Sequence, residues 1–238
     1  KDFQNKKYLS LVRNFRRNAW LLLYLFGASP VVPNSFIGKR KNFLDTLNRE
    51  DSFLEYATSL RMSQLGYMSE AQDDLHIAYN SLEEYTDNLK LALTKQHPPY
   101  QEIGIKDGDD FLQINDSIIQ IENEYYSSIR PKRVVGSGER PINILKEKGI
   151  EYVEVRCMDN NPFLNSSIDK ETAYFIEAFL MTSLMDEEKP CLNKEIKEIQ
   201  NSWQSVVKEG RKPNLDLKID GKSTPLKDAA NIFLEKMK

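Results

Sequence analysis

The amino-acid sequence predicts an α+β fold. Long stretches near both ends place apolar residues at three- and four-residue steps, the signature of amphipathic helices. The middle consists of short runs rich in β-branched and aromatic residues, separated by turn residues, which predicts strands. Helices grouped before and after a block of strands, instead of alternating with them, favour α+β over a parallel α/β sheet.

Tyr8, Leu11, Val12, Phe15, Ala19, Leu22, Leu23 and Phe26 form one face of a first helix, which Gly27 and then Pro30 end. Arg13, Arg16 and Arg17 fall mostly off that face, as solvated or ion-paired cations or as an anion site. Residues 28–70, with Pro30, Pro33, Gly38 and Gly66, predict loops with short helices. Ser81-x-x-Glu84 is a capping box opening a helix with Leu82, Tyr85, Leu89, Ala92 and Leu93 inward, closed by His97-Pro98-Pro99. Strands are expected at Phe111–Ile114, Ser117–Ile121, Lys132–Val135 and Glu151–Cys157. Asp169 can cap a helix with Ala173, Ile176, Phe179, Leu180 and Leu184 inward. Leu192, Ile196, Ile199, Trp203 and Val206 mark the next, ended by Gly210 and Pro213. Thr224-Pro225 begins a last helix through Leu226, Ala230, Phe233 and Met237.

Composition bounds the function. In 238 residues, 40% are apolar and 29% charged, an ordinary globular balance that supports a sizeable core. A net charge of −3 gives no broad field for nucleic acid or an anionic membrane. The most apolar run, Ala19–Phe26, is far shorter than the roughly 18 residues a membrane helix needs. Cys157 and Cys191 cannot build a disulfide framework and fit a reducing, cytoplasmic setting. The chain opens Lys-Asp-Phe with no initiating Met or signal-peptide pattern and stops within a helical pattern, so the expectation is either a removed start or a fragment.

Three segments carry polar chemistry. On a strand Glu151-Tyr152-Val153-Glu154-Val155-Arg156, side chains alternate, so Tyr152, Glu154 and Arg156 share one face while Val153 and Val155 can be buried on the other. That Glu could hold Mg²⁺ and the Arg a transferring phosphoryl group, or the two could form a salt bridge on a wet sheet face. Glu122, Glu124, Tyr125 and Tyr126 are followed by Arg130, Lys132, Arg133 and Gly136-Ser137-Gly138, a possible phosphate site or a hairpin with solvated charges. In Tyr56–Tyr67, Arg61 could grip a carboxylate bidentately with the help of the Tyr67 hydroxyl, or be an exposed loop Arg. Neither a Walker nor a dinucleotide-binding glycine spacing occurs. His76 and His97 lie too far apart to suggest a zinc site, and no CxxC or sequence-adjacent Cys–His pair is present.

Leu25-Phe26-Gly27-Ala28-Ser29-Pro30, Tyr56–Tyr67, Gln113-Ile114-Asn115, Ile118–Glu124, Ile129–Val134, Ser137-Gly138-Glu139, Gly149–Arg156 and Glu209-Gly210-Arg211-Lys212-Pro213 come in one order and spacing. From about Tyr8 to about Pro213 the chain thereby resembles proteobacterial-type glutamate–cysteine ligases. The resemblance implies a glutamine-synthetase-like antiparallel sheet with surrounding helices, incomplete at both ends, and residues 1–238 as the interior of one catalytic domain. It implies ATP as co-substrate, Mg²⁺ as cofactor, glutamate and cysteine as substrates, no nucleic-acid or membrane partner, and a cytoplasmic monomer.

Carried over by position, Glu154 matches the family's metal-binding carboxylate and Arg156 the neighbouring Arg near the transferring phosphoryl group. Arg61, Tyr67 and Tyr126 match residues lining the cysteine pocket, with Arg61 and Tyr126 on the cysteine carboxylate. Family members carry an N-terminal region with further metal ligands and part of the thiol pocket, and a C-terminal helical region, and nothing here matches either. A ligase for another amine, or a homologue kept as a binding module, stays open at this point.

Overall fold

A computed structural model describes residues 1–37, 43–73 and 75–238. The first apolar stripe folds as two helices, α1 (Asp2–Asn18) and α2 (Trp20–Phe26). At the junction Ala19 keeps helical angles, and Leu22 N donates to Ala19 O at 3.1 Å, a tightened turn that keeps both apolar faces toward the core. The off-face arginines are not solvated. Arg13 and Arg16 donate to the carbonyls of Tyr79 and Ile77, and Arg17 pairs with Glu195 at 2.6 Å.

Residues 28–70 hold a small sheet that the sequence pattern misses. β1 (Val31–Pro33) leads to α3 (Asn34–Ile37), then β2 (Asp45–Thr46) and β3 (Asp51–Phe53), antiparallel in the order β1-β3-β2. Strands of two or three residues are too short to show a period. Gly38, expected in a loop, lies outside the described residues. The capped helix is α4 (Leu82–Thr94), with Ser81 Oγ accepting from Glu84 N at 3.0 Å. His97-Pro98-Pro99 does not merely end it but opens α5 (Pro98–Ile103), where proline at the first helical turn loses no hydrogen bond.

The central strands are fewer than expected. β4 (Lys106–Asp107) and β5 (Asp110–Phe111) form a tight hairpin, so Phe111–Ile114 is a strand only at its first residue. Ser117–Ile121 is no strand beyond a single bridge from Ser117 to Gln96. Its backbone is bonded elsewhere: Ile118 N and Ile119 N donate to the carbonyls of Lys95 and Ala92 at the end of α4, Ser117 N to Asn115 Oδ1, and Asn115 Nδ2 to Gln120 O. The strand expected at Lys132–Val135 lies earlier, as β6 (Ile129–Lys132), because Ile129 is buried and Val134 is exposed. After α6 (Pro141–Lys148), β7 (Tyr152–Val155) pairs antiparallel with β6, setting Arg130 opposite Glu154. As expected, Val153 and Val155 pack on the core while Tyr152 is exposed.

Three helices and a hairpin close the fold. α7 (Lys170–Met185) is capped by Asp169, whose Oδ1 accepts from Thr172 N at 2.7 Å. α8 (Asn193–Glu209) precedes the antiparallel pair β8 (Asp216–Ile219) and β9 (Lys222–Pro225), and α9 (Leu226–Lys236) follows Pro225. The main core sits where α1 meets α7 and α2 meets α8. At its centre the fully buried Phe179 packs against Phe15, Phe175 and Phe233, with ring centroids 5.1, 6.5 and 4.6 Å away.

Phe179→Ala leaves a cavity among these rings and is expected to destabilise the fold by about 3–5 kcal/mol in urea unfolding. A loss under about 1 kcal/mol contradicts this view of the core.

Candidate functional site

The loop after β7 carries the group that organises the site. The Asp159 side chain is 3% exposed, and its carboxylate is filled from two separate segments. Oδ2 accepts from Ala28 N at 2.9 Å and from Ser29 Oγ at 2.8 Å, both just past α2. Oδ1 accepts from Arg61 Nε at 2.7 Å, while Arg61 Nη2 donates to Met158 O at 2.7 Å. A buried carboxylate is tolerated only with such charge-assisted bonds. Sequence reasoning missed Asp159: it sits three residues past Arg156 in a loop, where no period marks a buried acid.

Arg61 lies in a 3-10 turn, Leu60–Met62, from which the chain doubles back. Tyr67 N donates to Arg61 O at 2.5 Å, and a Cβ built on Gly66 would collide with the Arg61 backbone. Only glycine allows this approach, and it carries the Tyr67 ring over to Arg61. The ring lies between two cations, its centroid 5.9 Å from the Arg61 guanidinium carbon and 5.1 Å from that of Arg156. Tyr126 meets Tyr67 edge to face, centroids 4.9 Å apart at 62°. Buried Gln72 sets Tyr126 in place, donating to Glu124 O at 2.9 Å and accepting from Tyr126 N at 3.0 Å.

On the β6–β7 ribbon, Glu154 lies beside two guanidiniums, with Oε2 3.5 Å from Arg130 Nη2 and 3.9 Å from Arg156 Nη1. Oε2 is buried and accepts no hydrogen bond, although the Glu154 side chain as a whole is 40% exposed. Arg130 is not the solvated cation of a hairpin. It is buried and donates to the carbonyls of Asn123 and Tyr125, holding that turn under Glu154. Arg133 is spent on the carbonyls of Lys148 and Gly149, and Gly136 N on Glu139 Oε2, so these groups do not form an anion nest. Burial, reinforced by Arg130, lowers the Lys132 pKa.

The fold therefore brings Arg61, Tyr67, Tyr126, Glu154 and Arg156 into one cluster. Several of its donors are unfilled among the described residues. The Arg156 guanidinium has only the long Glu154 pair and the Tyr67 ring, Arg61 keeps Nη1, and the Tyr67 hydroxyl is buried without a partner. Burial pushes the Tyr67 pKa up against the opposing pull of Arg156 and Arg130, so the hydroxyl is held as a donor. Tyr67 and Tyr126 line a cavity of about 250 Å³ that extends past Gln72 to Trp203 and Gln204 on α8. Burial likewise pushes the Cys157 thiol, just past β7, up to about 12, which makes it inert packing and not a nucleophile.

As a metal centre the site is partial. The buried, unbonded Glu154 oxygen suits one ligand of a hard cation. Among the described residues, however, no three Asp, Glu, His or Cys side chains converge on one point, so they do not complete a coordination sphere.

An α+β scaffold presenting clustered Arg and Tyr donors beside one carboxylate has the chemistry to hold a small anion. A family model described as glutamate–cysteine ligase matches residues 1–206, and the chain belongs to that family. The glutamate–cysteine ligases of Pseudomonas entomophila and Pseudomonas putida are 47% and 48% identical over 237 and 238 residues, 100% of this chain and 45% of each relative. The chain thus spans a little under half the length of these relatives. The crystal structure of glutamate–cysteine ligase from Francisella tularensis in complex with AMP superposes with a TM-score of 0.91 at 40% identity, over 98% of this chain and 47% of that one. A bifunctional glutathione synthetase from Pasteurella multocida, with a TM-score of 0.62 at 22% identity, covers 99% of this chain and 25% of that one and shares the fold. Among the described residues no helix is long and apolar enough to cross a membrane.

Gly66→Ala forces the 61–67 turn apart and is expected to cost about 1–3 kcal/mol in urea unfolding. An unchanged midpoint contradicts the close approach that places Tyr67.

Proposed function

We propose that this chain is the interior part of one glutamate–cysteine ligase catalytic domain, within a cytoplasmic, monomeric enzyme built on a glutamine-synthetase-like sheet. The reaction joins the glutamate γ-carboxyl to the cysteine amine at the expense of ATP, the first step of glutathione biosynthesis. Family membership supports the reading. The observation that carries it is the convergence of unfilled Arg and Tyr donors beside Glu154.

The chemistry makes distinct demands on these groups. The glutamate γ-carboxylate attacks the γ-phosphorus of ATP, giving γ-glutamyl phosphate and ADP. The cysteine amine then attacks the acyl carbon, and phosphate leaves as the amide forms. Two anions must meet in the first step, and a fixed cation lowers their repulsion. Arg156 supplies that cation, its N–H groups uncommitted and its plane steadied by the Tyr67 ring. Glu154 holds Arg156 and Arg130 in place by attracting both, and would offer one oxygen to Mg²⁺. When bound, Mg²⁺ would neutralise phosphate charge, with its other ligands supplied from outside the described residues.

Arg61 and Tyr126 hold the cysteine carboxylate, and Tyr67 closes the pocket. Because Asp159 and the Met158 carbonyl fix two nitrogens of Arg61, the third is presented without loss of side-chain freedom at binding. A carboxylate held there leaves the amine free to face the acyl phosphate.

The direct test is phosphate release with ATP, glutamate and cysteine by the full-length protein carrying this segment, beside a panel of other amines. The 238-residue chain alone is expected to be inactive, and activity from it would overturn the metal assignment. Glu154→Gln is expected to lower kcat by about 10²-fold or more and raise the Mg²⁺ requirement, since a neutral amide loses its charge partners. An unchanged Mg²⁺ dependence rules out the metal role. Arg61→Lys is expected to raise KM for cysteine about tenfold and leave KM for ATP nearly unchanged, because Lys cannot serve Asp159, Met158 and a substrate together. Equal rises in both constants would remove Arg61 from the cysteine pocket.

A further inference from the structure

α7 is apolar on two opposite sides. Phe179 and Ser183 face the core and are fully buried. On the opposite side Tyr174, Ala178, Met181 and Met185 follow at steps of four, three and four residues and so form one stripe along the helix. Tyr174, Met181 and Met185 are 57, 50 and 81% exposed. Lys170, Glu171 and Glu177 rim the stripe, and the Lys170 ammonium lies 5.3 Å from the Tyr174 ring centroid.

A helix at the surface of a finished domain turns polar residues to water, whereas one that is hydrophobic all round belongs inside a larger body. Tyr and Met under a charged rim is also the composition of an interface centre. The size of the relatives supplies the occupant. All of this chain matches 45% of their length, and 98% of it matches 47% of the Francisella structure. More than half of each of those proteins therefore lies outside the matched part.

We propose that the outer stripe of α7 is an interface, covered by an amphipathic helix from the portion of the family's polypeptide that lies outside the matched segment. A straight, narrow stripe with teeth at four, three and four residues is complementary to another helix with the same spacing. The proposal rests on family membership and the relatives' length, not on the ligation chemistry, so it stands or falls separately from the function proposed above.

The test is maleimide labelling of single cysteines placed by Met181→Cys or Met185→Cys, with Lys227→Cys as an exposed control. Each is made in this chain alone and in a fusion that adds the flanking residues of the Pseudomonas putida relative. Labelling at 181 and 185 is expected to slow by at least about tenfold in the fusion while 227 is unaffected. Equal rates, in a fusion whose buried Cys157 and Cys191 stay unlabelled, overturn the proposal. So does slow labelling of the chain alone together with a dimer mass, which assigns the stripe to a second copy. Should the fusion label at Cys157 and Cys191, hydroxyl-radical footprinting of the intact Pseudomonas putida relative decides. Side chains aligned with Tyr174, Met181 and Met185 are expected to be protected, and oxidation at the rate of exposed residues contradicts the interface.

Discussion

The arrangement of the site depends on one buried charge. Asp159 is buried, so its carboxylate depends on hydrogen-bond donors that replace bulk water. The donors come from the turn after α2 and from the 3-10 turn at Arg61, while Asp159 itself follows β7. Three parts of the chain, 28–29, 61 and 159, are thereby pinned at one point. Satisfying that carboxylate fixes Arg61, and Arg61 in turn fixes where a substrate anion could be held.

The rest of the cluster builds outward from this pin. The turn closed at Gly66 lays the Tyr67 ring within reach of both Arg61 and Arg156. Antiparallel pairing of β6 with β7 fixes Glu154 between Arg130 and Arg156, one buried and structural, the other uncommitted. Much of the preorganisation of this cluster is thus a by-product of backbone pairing and one ion pair to a buried carboxylate. The carboxylate alone does not make a metal centre, which accords with a chain spanning less than half of its relatives.

Much of this was legible in the sequence, for physical reasons that differ by element. The long helices were readable because burial of one face imposes a period, and Ser81 and Asp169 cap as their residue types require. β7 was readable because its side chains alternate, Val153 and Val155 packing on the core while Glu154 and Arg156 point to the other face. The resemblance named all five residues that the fold brings together, although pattern alone left each with an ordinary explanation. The β8–β9 hairpin was signalled by Asp220-Gly221, both at positive φ, yet it is easily lost between two strong helical periods. Ser117–Ile121 failed because carbonyls at the end of α4, together with the Asn115 side chain, take the place of a strand partner, which composition does not reveal. Asp159 was invisible because its burial is decided by Ala28, Ser29 and Arg61, all about a hundred residues or more away in sequence.

A double-mutant cycle between Arg61→Met and Asp159→Asn, read by urea unfolding, tests the central claim most directly. A pin that organises three segments predicts a coupling of about 1–3 kcal/mol, because Arg61→Met strands the buried Asp159 carboxylate, while Asp159→Asn takes the charge partner from the half-exposed Arg61. Losses that add to within about 0.5 kcal/mol would mean the two residues merely lie near each other, and the site would need another organising contact.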